Sequence, residues 1–278
     1  MDNYREQLKD KKKIVVKIGS SSITHKETGN IDYNRLERLV RVLCDLKNMG
    51  KDVVLVSSGA IAVGRQAVGI KERSTRVAEK QACAAIGQCR LMMTYEKLFS
   101  EYNQTVAQVL LTKYTILRDE SLRNAANTFE ELFKLDAIPV VNENDTVATH
   151  EIEFGDNDKL SALVSALIGA DLLILLSDID GLFTDDPNKN PEAEFIDLVT
   201  EIDDKYRKMA KDSASAVGTG GMAAKIAAAS IATDAGVDMV IANSEDIEVI
   251  RRITEGENIG TLFLANRVED YNIKDYLD

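Results

Sequence analysis

Strand-like segments alternate with segments of helical period along the whole chain, which predicts an α/β sandwich around a mainly parallel sheet. Leu172 to Leu176 is apolar at every position, as expected of a central strand buried on both faces. Polar clusters follow Val16, Val56, Val141 and Leu176, and parallel sheets bind ligands beyond the carboxyl ends of their strands.

The elements follow in order. Ile14-Val15-Val16 is a short buried strand leading into Lys17-Ile18-Gly19-Ser20-Ser21-Ser22. Leu36, Leu39, Val40 and Leu43 recur at helical spacing from about Asp32 to Asn48, and Gly50 supplies the stop. The β-branched run Val53 to Val56 is a strand that ends in Ser57-Ser58-Gly59-Ala60. A long helix is expected over about Arg76 to Glu101, with Val77, Gln81, Ala82, Ala85, Ile86 and Cys89 tracking its apolar face. Val106 to Leu111 is a strand, Ser121 to Leu135 a helix, and Ile138 to Val141 a strand ending in Asn142-Glu143-Asn144-Asp145. A polar loop with Gly155-Asp156-Asn157-Asp158 opens the apolar helix Leu160 to Ile168. After the strand Leu172 to Leu176 comes a loop with Pro187 and Pro191, then a helix from Gly218-Thr219-Gly220-Gly221 through Asp234 and a strand from Met239 to Ala242.

The length of 278 residues allows one large α/β domain or two lobes on a continuous sheet, with no internal repeat or low-complexity linker. A net charge of −12 argues against nucleic acid as a main partner, because phosphate backbones are held by clustered Lys and Arg. No apolar run is long enough to cross a bilayer, and the start MDNYREQLKDKKK lacks the apolar core of a signal peptide. The expectation is a cytoplasmic protein with no membrane partner. Cys44, Cys83, Cys89, His25 and His150 show no paired metal spacing, so buried reduced thiols and surface histidines are expected.

Three segments carry chemistry. Lys17 stands at a strand end beside Gly19, where backbone can approach a phosphoryl group; a lysine in an ordinary solvent-facing turn is the other reading. Gly218-Thr219-Gly220-Gly221-Met222 precedes an alanine-rich helix whose free N–H groups suit an anion, with Lys225 a turn inside; a flexible loop before a packed helix is the alternative. Asp156-Asn157-Asp158 and Asn142-Glu143-Asn144-Asp145 supply carboxylates and amides for a cation, an ammonium or a carboxylate, although helix capping would also explain Asp156 or Asn157. There is no Walker A pattern, since Gly50-Lys51 continues into Asp52. Gly218, Gly220 and Ala223 fit a relaxed dinucleotide fingerprint, but Lys211 to Ala216 is not a convincing strand.

Taken together, VVKIGSSS, VLVSSGAIAVGR, PVVNENDTVA, FGDNDKLSALVSALIGADLLILLSDIDGLFTDDP, GTGGMAAKIAAA and IGTLF resemble the glutamate 5-kinase family of amino acid kinases, in that family's order. SSGAIAVG discriminates: N-acetylglutamate and carbamate kinases carry a more glycine-rich segment there, and aspartokinases differ at both of the first two motifs. The resemblance implies a three-layer α/β/α fold of the carbamate kinase-like type, as a single domain over 1–278. Within it, residues 1–168 would bind the amino acid and residues 169–278 the nucleotide. It implies ATP with Mg²⁺, L-glutamate as acceptor, and the first step of proline biosynthesis. Lys17 and Lys225 would contact phosphates, and Asp158 would orient both lysines. Ser58, Gly59, Asp145 and Asn157 would hold glutamate with Asn142 nearby, while Ser177, Asp178, Thr219, Gly220, Gly221 and Met222 would line the nucleotide site. A dimer or tetramer, proline feedback and hand-off to glutamate 5-phosphate reductase are further implications. The C-terminal PUA-type domain of many members is expected to be absent. Readings as another amino acid kinase, a nicotinamide-dependent oxidoreductase or a non-catalytic sensor stay open at this point.

Overall fold

The computed structural model describes residues 4–72, 75–147, 157–185, 190–203, 206 and 221–277. It divides into two compact units, Met1–Lys17 with Asp158–Asp278, and Ile18–Asn157. The strands in chain order are β1 (Lys13–Ile18), β2 (Asp52–Ser57), β3 (Val106–Leu111), β4 (Ile138–Glu143), β5 (Leu172–Ser177), β6 (Leu182–Phe183), β7 (Phe195–Ile196), β8 (Leu198–Val199), β9 (Asp238–Asn243) and β10 (Thr261–Phe263). The fold is α/β and mainly parallel, as the alternating pattern predicts.

In the unit Ile18–Asn157 the strands run β3-β4-β2, all parallel, with Val106 opposite Ile138 and Leu55 opposite Val140. All of β4 is buried, as are five of the six residues of β2. The first long helix, Tyr33–Asn48, is capped by the Asp32 side chain, which accepts from the Arg35 N–H at 3.1 Å. It ends where Gly50 takes a left-handed φ of 79°. Leu36, Leu39, Val40 and Leu43 are fully buried, as their spacing requires.

The helix Val77–Ser100 differs from expectation. Its buried face is Cys83, Ala84, Gly87, Gln88, Leu91, Tyr95 and Phe99, whereas Ala82, Ala85, Ile86 and Cys89 are exposed. The face read from Ala82, Ala85, Ile86 and Cys89 is the wrong one because at Cys83 and Gly87 the helix meets its neighbour, Ala60–Ala67, backbone to backbone. A Cβ added to Gly64 would lie 2.7 Å from the Cys83 carbonyl carbon and 2.8 Å from the Gly87 nitrogen. Close approach selects the smallest side chains rather than the most apolar.

In the other unit the order is β1-β5-β9-β10-β8, with β9 and β10 antiparallel and the remaining pairs parallel. All six residues of β5 are buried between β1 and β9. β6 and β7 form a separate antiparallel pair in which Phe183 and Phe195 meet edge to face at 5.2 Å. The Arg5 guanidinium donates to the carbonyls of Ile259 (2.7 Å), Gly260 (2.7 Å) and Asp197 (2.9 Å), tying the N-terminal 3₁₀ turn Glu6–Asp10 to the segments entering β10 and β8. Burial lowers the Arg5 pKa to about 10, against the Asp197 charge, which raises it.

Candidate active site

The unit containing β1 and β5 brings three of the sequence-predicted residues together. Lys17 lies in the buried run of β1, and its ammonium is ion-paired with Asp158 Oδ1. Asp158 lies in the first turn of the helix Asn157–Ile168. Lys225 lies one turn inside the helix Met222–Asp234 and donates to Asp158 Oδ2 at 3.1 Å. Exposures of 8% for Lys17, 1% for Asp158 and 5% for Lys225 rule out the solvent-facing reading of Lys17. Two buried ammonium groups converge on one carboxylate, held away from bulk water. That is an arrangement suited to an anion with several oxygens.

Around it, Ser177 ends β5 buried, with its hydroxyl 3.1 Å from Asp178 Oδ1, and its carbonyl accepts from the Ser244 N–H at 2.7 Å. Asp178 is exposed. Gly221 is the N-cap of the helix Met222–Asp234, which no side chain caps. Met222 is its first residue. Thr219 and Gly220 lie outside the described residues, as do Gly218, the stretch 211–216 and the loop residues Gly155 and Asp156.

The unit Ile18–Asn157 gathers a second cluster. Ser58 follows β2, and its N–H donates to the Ile18 carbonyl at 3.1 Å. Gly59 turns the chain into the helix Ala60–Ala67 with a φ of 106°; a side chain there would also press on Ile23. Asn157 Nδ2 donates to Ser58 Oγ at 2.8 Å and to Asn142 Oδ1 at 2.9 Å. Asn157 therefore uses its side chain on Ser58 and Asn142 rather than only at a helix terminus. Asn142, buried on β4, donates to Gln88 Oε1 at 3.0 Å. Asp145 lies half-buried in the turn after β4, where the Asn144 N–H donates to the Leu111 carbonyl at 2.7 Å.

Gln88 belongs to no motif that the sequence alone singles out. A signal for it does exist: it stands at helical spacing between Ala84 and Leu91, a lone amide on a face of small and apolar residues. Cys89 is exposed, against the expectation of buried thiols; Cys44 and Cys83 are buried. His25 is exposed, 3.7 Å from Asp32, and His150 lies outside the described residues.

These features define a class of protein, an α/β chain with two buried lysines paired to one carboxylate beside a parallel sheet. The sequence profile of the Amino acid kinase family matches residues 12–243, and the chain belongs to that family. A protein named "Glutamate 5-kinase" from Carboxydothermus hydrogenoformans is 52% identical over 267 residues, 96% of this chain and 72% of the relative. Another of that name from Clostridium perfringens is 47% identical, covering 95% of this chain and all of the relative. Among solved structures, UMP kinase from Ureaplasma parvum superposes with a TM-score of 0.64 at 14% identity, over 91% of this chain and 99% of that one. The isopentenyl phosphate kinase product complex of T. acidophilum gives 0.61 at 17% identity, over 90% and 99%. At these identities the structural likeness shows the fold alone.

Proposed function

We propose that this protein transfers the γ-phosphoryl group of ATP to the γ-carboxylate of L-glutamate, giving L-glutamyl 5-phosphate and ADP, the step that opens proline biosynthesis. The observation that carries the reading is the Lys17–Asp158–Lys225 cluster. Relatives named for this activity match 95% or more of the chain at 47–52% identity.

The chemistry asks little of a base. A γ-carboxylate is already ionised at neutral pH, so its oxygen attacks phosphorus directly while the bridging P–O bond breaks and ADP leaves with the electron pair. The obstacle is the approach of two anions. Lys17 and Lys225 offset the charge on the phosphoryl oxygens, and Asp158 aims both ammonium groups. Ser58, Gly59, Asn142, Asp145 and Asn157 hold glutamate, with Asp145 on its α-ammonium. Ser177, Asp178 and the segment Thr219, Gly220, Gly221 and Met222 line the nucleotide site. Mg²⁺ is assigned to the MgATP substrate.

The product is an acyl phosphate, prone to hydrolysis, so a glutamate 5-phosphate reductase that consumes it promptly fits this reading, as do a homo-oligomer and a cytoplasmic location. The test is a hydroxylamine trap with MgATP and, separately, L-glutamate, N-acetyl-L-glutamate and L-aspartate. Hydroxamate from L-glutamate alone is expected. Hydroxamate from another acid would overturn the substrate, and none from any would overturn the reaction.

A further inference from the structure

Three side-chain amides run in one direction. Asn142 Nδ2 donates to Gln88 Oε1 at 3.0 Å, and Asn157 Nδ2 donates to Asn142 Oδ1 at 2.9 Å and to Ser58 Oγ at 2.8 Å. An amide nitrogen carries two hydrogens, and both of those on Asn157 are engaged. Asn157 therefore offers a ligand only its Oδ1, an acceptor. Ser58 Oγ receives one of these bonds, which leaves its own O–H to donate to a ligand.

We infer that Gln88 is a positioning residue that sets this polarity and, through it, the preference for a free amino acid. The acceptor it presents holds the Asn142 amide in one of its two orientations. Were Asn142 to flip, its nitrogen would face the nitrogen of Asn157, and two donors cannot satisfy each other. Asn157 would then flip as well, presenting donors where it now presents an acceptor. With the polarity as built, a donor at Ser58 and an acceptor at Asn157 match a carboxylate oxygen and an α-ammonium. An N-acylated amino acid offers only one amide N–H and a bulkier, neutral group. Gln88 does this without touching the substrate.

Its placement is part of the same device. Gln88 follows Gly87, and Ser58-Gly59 leads directly into the helix carrying Gly64. The backbone contact between Gly64 and Gly87 thus fixes both ends of the relay, Ser58 and Gln88, relative to each other.

The inference rests on the glutamate reading, and steady-state kinetics separate the two. Gln88→Met keeps the length and removes the acceptor; Gln88→Glu restores an acceptor oxygen at the same place. For Gln88→Met, loss of a buried hydrogen bond in the relay should raise the KM for L-glutamate about tenfold while kcat and the KM for MgATP change by less than about twofold. Discrimination against N-acetyl-L-glutamate should fall by a similar factor. Gln88→Glu should return the glutamate KM to within about threefold of the wild type, which bulk destabilisation of the helix would not do. Wild-type turnover of glutamate with an unchanged KM in Gln88→Met, or a Gln88→Glu variant as impaired as Gln88→Met, would overturn the inference alone. Should Gln88→Met fail to fold, Gln88→Glu still decides, since a tenfold rise there contradicts an acceptor role. Absence of glutamate turnover in the wild type would overturn the functional reading and the inference together.

Discussion

Gly64 and Gly87 bring two helices into backbone contact: a Cβ built on Gly87 would lie 2.5 Å from the Gly64 nitrogen, and one on Gly64 2.8 Å from the Gly87 nitrogen. Neither neighbour is a flexible side chain that could swing aside. The helices Ala60–Ala67 and Val77–Ser100 must therefore part if either glycine gains a methyl group.

Gly87→Ala is accordingly expected to destabilise the protein by about 1–3 kcal/mol, the range typical of overpacking. Urea denaturation would measure it. Because Gln88 lies on one of these helices and Ser58-Gly59 leads into the other, the KM for L-glutamate should rise as well, with the KM for MgATP much less affected. A variant with wild-type stability and glutamate KM would show that the helices part at no cost.

Lys17 and Lys225 converge on Asp158 from β1 and from the helix Met222–Asp234. Lys225→Met or Lys17→Met should lower kcat by about 10²–10³, the effect of removing one preorganised charge partner. Steady-state assays under saturating substrates would measure it. Near-normal kcat in a folded variant would remove that lysine from the reaction.

Much of this was legible in the sequence, and the parts that were not have a common cause. The strands around Val15, Val54, Val140 and Ile174 announce themselves through unbroken β-branched or apolar runs, because both their faces are covered. Their polar ends point to Lys17, Ser58, Asn142 and Ser177 by position alone. What escaped was set by distant partners. The buried face of Val77–Ser100 is set around Gly87 by its contact with Gly64, so the face read from Ala82, Ala85, Ile86 and Cys89 pointed to the solvent side. Gln88 acquires meaning only opposite Asn142, 54 positions away. β6, β7 and β8 have two residues each, too short for any period to register.

Arg5 tests how far the N-terminal turn stabilises its unit. Its three bonds to the Ile259, Gly260 and Asp197 carbonyls need a planar fork of donors, which lysine lacks. Arg5→Met should lower stability by about 2 kcal/mol or more, since buried acceptors lose their donors, and Arg5→Lys should recover little of it. Urea midpoints with unchanged m-values would establish both. Full recovery by lysine would mean that charge, not the fork, matters.

Cys44 gives a pH dependence. Burial first, and the charge of Asp45 second, push its thiol from an ordinary 9.0 up to about 12. The unfolded chain therefore loses this proton before the folded one does. The Cys44 contribution to stability is fully present below the unfolded value and declines as pH rises from there toward the folded value. The stability difference between wild type and Cys44→Ala should shrink as pH rises from about 9 toward about 12. Under native conditions at neutral pH, a thiol reagent should modify the exposed Cys89 rapidly and leave Cys44 and Cys83 until unfolding.

The sharing of Asp158 by two lysines leads to the sharpest expectation. Asp158 is 1% exposed and is the carboxylate shared by two buried lysines. Asp158→Asn keeps the shape but leaves two ammonium groups facing one neutral amide. Breaking a buried ion pair by removing one partner costs about 3–5 kcal/mol, so the variant should be markedly less stable without ligand. An anion that settles between the lysines would relieve that repulsion. MgATP, or the non-hydrolysed analogue with an imido bridge, should therefore raise the melting temperature of Asp158→Asn by more than it raises that of the wild type, even as turnover falls. Thermal unfolding with and without the nucleotide measures both shifts. Equal shifts would mean that the lysines do not receive the phosphates, whatever else the variant loses.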